Sequence, residues 1–218
     1  MRFILMLVLT MGTLTAAAQP ALTYVILGDS TAAGVGGDYE VGIALSTTRV
    51  LERQYRVSMT NLAVSGAQFS DVRKKQLPEA EMLRPDLVLL AAGANDVTHL
   101  TPLRSIRNDF REIVKRLIAA NPKVKIVITG SPDMGSPPRV PRLLRGLAFR
   151  RTTSLNRMLV AEAAPYGIVF APIAQRTGPL FRADRSLFAD DEFHPNDRGY
   201  ATWLPVLEEA LAQALQGP

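Results

Sequence analysis

The sequence predicts an α/β fold built on a parallel β-sheet, and three observations carry that prediction. Five apolar, β-rich runs recur along the chain, separated by stretches of helical character. Three of the five are near-continuous hydrophobic runs rather than alternating ones, as expected of strands covered on both faces. The chain has 218 residues, 47% of them hydrophobic, enough for one sizeable core. Strands alternating with helices imply right-handed crossovers and a layered sandwich. In such sheets, sites lie beyond the carboxyl ends of the strands.

The first eighteen residues read as an export leader. Met1-Arg2 is a minimal positive start, Phe3 to Leu9 an apolar stretch, and Ala16-Ala17-Ala18 before Gln19-Pro20 an A-x-A-like cleavage site. An uncleaved anchor is the competing reading, but the apolar stretch is short for a span of ~20 residues. The division expected is residues 1–18 as a signal peptide and 19–218 as one domain. A secreted, periplasmic or cell-envelope location follows, with no stable membrane insertion after cleavage.

The first strand, Thr23 to Leu27, runs into Gly28-Asp29-Ser30-Thr31, a cluster of turn residues. A helix over Ser46 to Tyr55 follows. The second strand, Val57 to Leu62, is the weakest of the five. A shorter helical region, Ser70 to Met82, leads to the third strand, Leu87 to Ala92. The clearest helix is Thr101 to Ala120. Ile106, Phe110, Ile113, Val114 and Leu117 form its apolar stripe, with Arg107, Arg111, Glu112 and Lys115 off it. Thr101 is its expected N-cap, Pro102 its first residue and Asn121-Pro122 its stop. The fourth strand is Val124 to Thr129, and the Pro- and Gly-rich loop from Gly130 to Arg142 follows it. That loop lies on the Ser30 edge of the sheet and reads as one wall of a pocket. The helix Pro141 to Ala164, the strand Ile168 to Ala171 and a last helix from Asp197 to Leu215 complete the chain.

Zero cysteines remove disulfides despite the export signal, so the core alone must hold the fold. Without Arg2, 24 Lys+Arg face 20 Asp+Glu, too small and dispersed an excess to imply nucleic acid. No cofactor and no metal are expected; with two histidines, a metal hydrolase would have to build its site mainly from carboxylates. A nucleotide-binding P-loop fails because "GDSTAAGVGG" lacks the Lys-Ser/Thr ending. An ordinary α/β-hydrolase fails because no G-x-S-x-G elbow occurs.

Ser30 stands where a nucleophile would, and a nucleophilic serine needs a base, a group orienting that base, and donors for an oxyanion. His194 lies in "DDEFHPNDRGY", with Asp191 three residues ahead, within reach of Nδ1 in one turn. His99, in "GANDVTHL", is the competing base, with Asp96 three residues before it. Asp96 reads instead as a brace for the Gly93-Ala94-Asn95 turn, which leaves His194 the preferred base. Donors are available at Gly66, which ends "NLAVSG" and lets a backbone N–H approach a ligand, and at Asn95, whose side-chain amide is a neutral donor.

Taken in order, Gly28-Asp29-Ser30 with Gly34, Asn61 to Gly66, Gly93-Ala94-Asn95-Asp96, and Asp191 to Pro195 continuing to Gly199-Tyr200 resemble the SGNH, or GDSL-type, hydrolase family. The resemblance covers essentially the whole chain after the leader. It implies a flavodoxin-like three-layer α/β/α sandwich on a five-stranded parallel sheet. It also implies Ser30 as nucleophile, His194 as base and Asp191 as its orienter. Ser30 N–H, Gly66 N–H and Asn95 Nδ2 would form the oxyanion hole. Thr31 departs from the family, where many members carry leucine.

The expected activity is a serine esterase or lipase-like hydrolase acting through an acyl-enzyme, as a monomer, on a small ester, acyl-lipid or acylated sugar. The alternatives are an acyltransferase using the same triad and a non-catalytic cell-surface binding module. Val35, Met134, Val140 and Phe193 are candidates for an acyl site. Arg139, Arg142, Arg145, Arg150 and Arg151 form either a solvated basic face or a contact for an anionic head group.

Overall fold

The structure, a computed structural model, describes residues 18–38 and 42–216. The expected export leader, residues 1–18, therefore lies outside the described residues, apart from Ala18. The elements are, in chain order, β1 (Ala21–Gly28), α1 (Ile43–Glu52), β2 (Arg56–Asn61), α2 (Phe69–Asp71), a π-helical turn (Val72–Gln76) and α3 (Leu77–Leu83). They continue with β3 (Leu87–Ala91), α4 (Ala94–Thr98), α5 (Leu103–Ala120), β4 (Lys125–Ile128), α6 (Arg142–Ala163), β5 (Val169–Phe170), α7 (Ile173–Ala183) and α8 (Asp197–Gln216).

All strand pairs are parallel, in the order β2-β1-β3-β4-β5. Leu87 to Leu90 in β3 are completely buried because layers cover both faces, which is why that strand reads as an unbroken apolar run. On one face, Tyr24 and Ile26 of β1 and Leu89 of β3 pack with α1, α7 and α8. On the other, Val25, Leu27, Val88 and Leu90 pack with α3, α5 and α6. Each buried aliphatic side chain contributes roughly 2 kcal/mol, counted against an extended chain. The result is the three-layer α/β/α sandwich that the family resemblance implies. Among the described residues, no helix is long and apolar enough to cross a membrane.

β2 is an edge strand, exposed or half-buried along its length, which accounts for its weak sequence signal. The predicted Ser70–Met82 helix is real but interrupted by the π turn. Gln76, buried at the end of that turn, donates from Nε2 to the Gly28 carbonyl at 2.8 Å and accepts the Gly28 N–H at 2.9 Å. A buried amide thus satisfies both backbone groups of the residue that ends β1. Gly28 (φ +153°) could carry no side chain, since a Cβ would lie 2.0 Å from the Ala91 carbonyl oxygen.

One expectation needs correction, and one helix was not expected. Thr101 does not cap α5: Pro102 holds the N-cap position and Leu103 is the first helical residue. The Thr101 hydroxyl donates to Gln68 Oε1 at 3.1 Å instead, tying α5 to the loop before α2. α7 is absent from the sequence reading, because Gly178-Pro179 in its interior looks like a break. Gly178 is there for packing, as a Cβ would lie 2.9 Å from Asp133 Cβ.

Candidate active site

β1 ends at Gly28, and the chain turns immediately, with Asp29 Oδ1 accepting the Thr31 N–H at 3.0 Å and the Thr31 hydroxyl at 2.8 Å. This Asx turn presents Ser30, and it gives Thr31, the departure from the family pattern, a partner for its hydroxyl. Asp29 is buried. Burial raises its carboxyl above the ordinary range, while the Thr31 N–H and hydroxyl and the nearby His194 pull the other way.

His194 comes from the loop before α8. Asp191 organises that loop: its Oδ1 accepts the Phe193 and His194 N–H groups, both at 3.0 Å, and its Oδ2 accepts Nδ1–H of the His194 ring at 2.5 Å. Burial alone would raise the Asp191 carboxyl, but the His194 N–H, the His194 ring and the Phe193 N–H outweigh it and hold it below its ordinary value. A carboxylate only accepts, so the proton of a neutral ring sits on Nδ1 and the Nε2 lone pair is free. Nε2 lies 2.8 Å from Ser30 Oγ. The serine and histidine loops meet at Gly36 (φ +94°), where a Cβ would sit 2.6 Å from the Pro195 carbonyl oxygen and 2.7 Å from His194 Cβ. Only glycine allows that approach.

The candidate donors Gly66 and Asn95 lie after the two strands flanking β1. Gly66 follows β2, exposed and with φ +83°. Asn95 lies in the first turn of α4 after β3 and donates one Nδ2 hydrogen to the Ala67 carbonyl at 3.1 Å, which joins the two loops and leaves its second hydrogen available. Among the described residues, neither the Ser30 N–H nor the Gly66 N–H has an acceptor.

His99 is exposed, and its Nδ1–H donates to the Asn95 carbonyl of its own turn at 2.8 Å. Asp96 does not brace the turn by its side chain. Its Oδ2 reaches across to accept the Phe69 N–H at 3.1 Å, supporting the loop that carries Gly66, while Oδ1 has no partner among the described residues. Burial pushes this carboxyl up to about 6 against the pull of the Phe69 N–H, with the Asp29 and Asp109 charges adding to the rise. A carboxyl raised above its unfolded value stabilises the fold fully below pH ~4, and that stability is lost as pH rises through about 6. Asp96→Asn keeps an acceptor for Phe69 without the charge. It should raise unfolding stability at pH 8 by up to about 3 kcal/mol, the gain shrinking by about half at pH 5. Urea unfolding at both pH values checks this; a pH-independent effect would contradict it.

A mainly apolar pocket opens beside Ser30 and His194, lined among others by Met134, Pro137, Phe181, Phe188, Phe193 and Trp203. The loop after β4 does form one wall. Of the four acyl-site candidates, Met134 and Phe193 line the pocket and Val35 and Val140 do not; the Val35 carbonyl instead accepts the Tyr200 hydroxyl at 2.7 Å. The sequence reading missed the opposite wall, Thr177, Gly178 and Phe181 of α7 and Trp203 of α8. Among the described residues, no three His, Cys, Asp or Glu side chains gather as a metal site.

The chain matches the GDSL-like Lipase/Acylhydrolase family over residues 26–202. It is 30% identical over 197 residues to a GDSL-like esterase of Mycobacterium tuberculosis, a match covering 87% of this chain and 62% of that protein. Its fold is similar to that of phospholipase A1 from Streptomyces albidoflavus (TM-score 0.66, 21% identity, 87% of this chain and 99% of that one). It is also similar to a catalytic mutant of Axe2, an acetylxylan esterase from Geobacillus stearothermophilus (TM-score 0.70, 15% identity, 88% and 95%).

Proposed function

Because the chain belongs to the GDSL-like lipase/acylhydrolase family, we propose that it hydrolyses carboxylic esters through Ser30, His194 and Asp191. The observation that carries this is the 2.8 Å contact between Ser30 Oγ and His194 Nε2, with Asp191 holding the other ring nitrogen. Ser30 Oγ attacks the ester carbonyl carbon while Nε2 takes the hydroxyl proton. The carbonyl oxygen becomes an oxyanion that accepts from Ser30 N–H, Gly66 N–H and Asn95 Nδ2, where the largest single stabilisation is expected. His194 then gives its proton to the departing alcohol, leaving an acyl-Ser30. Water attacks that ester with His194 again as base, and the carboxylic acid leaves.

Residues 19–218 form the hydrolase domain in this reading, and residues 1–18 export it to the cell envelope or beyond. One chain supplies every group named, so a monomer suffices. A small ester, an acyl-lipid and an acylated sugar all present the required carbonyl. The apolar walls of Phe181, Phe188 and Trp203 suit the acyl side. The test is a panel of esters of increasing acyl length together with a lysophospholipid and an acetylated sugar, with and without an added alcohol acceptor. Release of free acid from at least one ester, abolished in Ser30→Ala, is the expected result. Transfer to the alcohol in place of acid release would make the enzyme an acyltransferase, and no turnover of any ester would overturn the proposal.

A further inference from the structure

The first half of α6 touches the protein along one side, through Ala148, Phe149 and Arg145, and leaves its other side open to solvent. The helix has 22 residues, and its buried positions begin only at Thr152, so the ten residues from Arg142 to Arg151, about 15 Å of helix, include none that is buried. Leu143 is 97% exposed, Leu144 51%, Leu147 42% and Phe149 46%. Large apolar side chains gathered on one short exposed segment mark an interaction surface. Leu143, Leu147 and Arg150 follow the i, i+4, i+7 spacing of a single helix face.

Along the chain, the charge flanking these leucines has one sign. Between Asp133 and Glu162 lie six arginines (Arg139, Arg142, Arg145, Arg150, Arg151 and Arg157) and no acidic residue. Two of them are committed locally: Arg145 donates to the Val140 and Pro138 carbonyls, and Arg151 to the Thr101 carbonyl. Arg142 and Arg150 make no ion pair among the described residues. An apolar stripe flanked by unpaired arginines is the pattern of a helix that lies in an anionic membrane interface.

We propose that the first half of α6 docks the protein on anionic phospholipid surfaces, with Leu143 and Leu147 entering the interface and Arg142 and Arg150 at the head groups. The loop whose Met134, Ser136 and Pro137 line the pocket leads directly into this helix, and its Gly135 lies under it, where a Cβ would be 2.8 Å from the Arg145 carbonyl oxygen. Docking there would set the pocket wall beside the lipid. That consequence rests on the esterase reading; the binding itself does not.

The test is flotation of the full chain with vesicles of phosphatidylglycerol or of phosphatidylcholine, which reads binding without hydrolysis. The parent should float with the anionic vesicles, weakly with the zwitterionic ones, and less as salt rises. R142Q/R150Q should lower partitioning roughly 30-fold, about fivefold per charge, and L143S/L147S at least roughly tenfold. Both variants should keep the parent's thermal stability and its turnover of a soluble ester. Flotation of both variants at the parent's level would overturn the proposal, as would a parent that ignores anionic vesicles. A parent dimer that L143S/L147S dissociates, without flotation, would assign the leucines to a second copy of the chain and overturn it too.

Discussion

Replacing His194 by alanine should lower kcat on the best ester by roughly 10⁴-fold or more, while replacing His99 should leave it within about twofold. The asymmetry follows from what each ring touches. His194 faces the Ser30 hydroxyl through Nε2 and is oriented by Asp191 through Nδ1, so its loss removes the only nearby acceptor for the serine proton among the described residues. His99 is spent on the Asn95 carbonyl of its own turn, so alanine there costs one exposed local hydrogen bond. Steady-state kinetics on variants matched by thermal unfolding make the comparison. An inactive His99→Ala enzyme beside an active His194→Ala enzyme would refute the assignment of the base.

Asn95→Ala should lower kcat by roughly 10²–10³-fold with little change in KM, the usual cost of one oxyanion donor. One Nδ2 hydrogen is engaged with the Ala67 carbonyl, so the alanine variant also frees the loop that carries Gly66. Asn95→Asp loses both donations and adds a charge. It keeps the shape but offers an ionised carboxylate, which donates nothing, repels the Ala67 carbonyl and puts negative charge where more must develop. It should be at least as damaging as alanine. A folded Asn95→Ala enzyme with near-normal kcat would leave Asn95 a turn residue and nothing more.

The strands were legible because a sheet covered on both faces demands consecutive apolar residues, and Leu87 to Leu90 satisfy that demand without help from the rest of the chain. The closeness of Asp191 to His194 was legible only as within reach, because Asp96 and His99 share the same i, i+3 spacing and do not meet. The other features depend on tertiary contacts. Gln76 sits in the polar stretch Val72–Gln76, where nothing distinguishes it from a surface glutamine until Gly28 is placed beside it. α7 contains Gly178-Pro179, and only the close approach of Asp133 explains why a glycine lies inside a helix. The second pocket wall comes from α7 and α8, far along the chain from Ser30, and no local pattern points to Phe181 or Trp203. The roles of Thr101 and Asp96 were misjudged alike, because both reach across to the α2 region instead of serving their own turns.

The central claim is that Ser30 is a nucleophile made reactive by His194. Labelling the purified protein with a fluorophosphonate and mapping the adduct by mass spectrometry tests it most directly, because a phosphonylated serine reports nucleophilicity without reference to any substrate. A single adduct on Ser30, absent from Ser30→Ala and formed far more slowly in His194→Ala, is the result this account predicts. A protein that stays unlabelled, or that carries its adduct elsewhere with Ser30 intact, would contradict it.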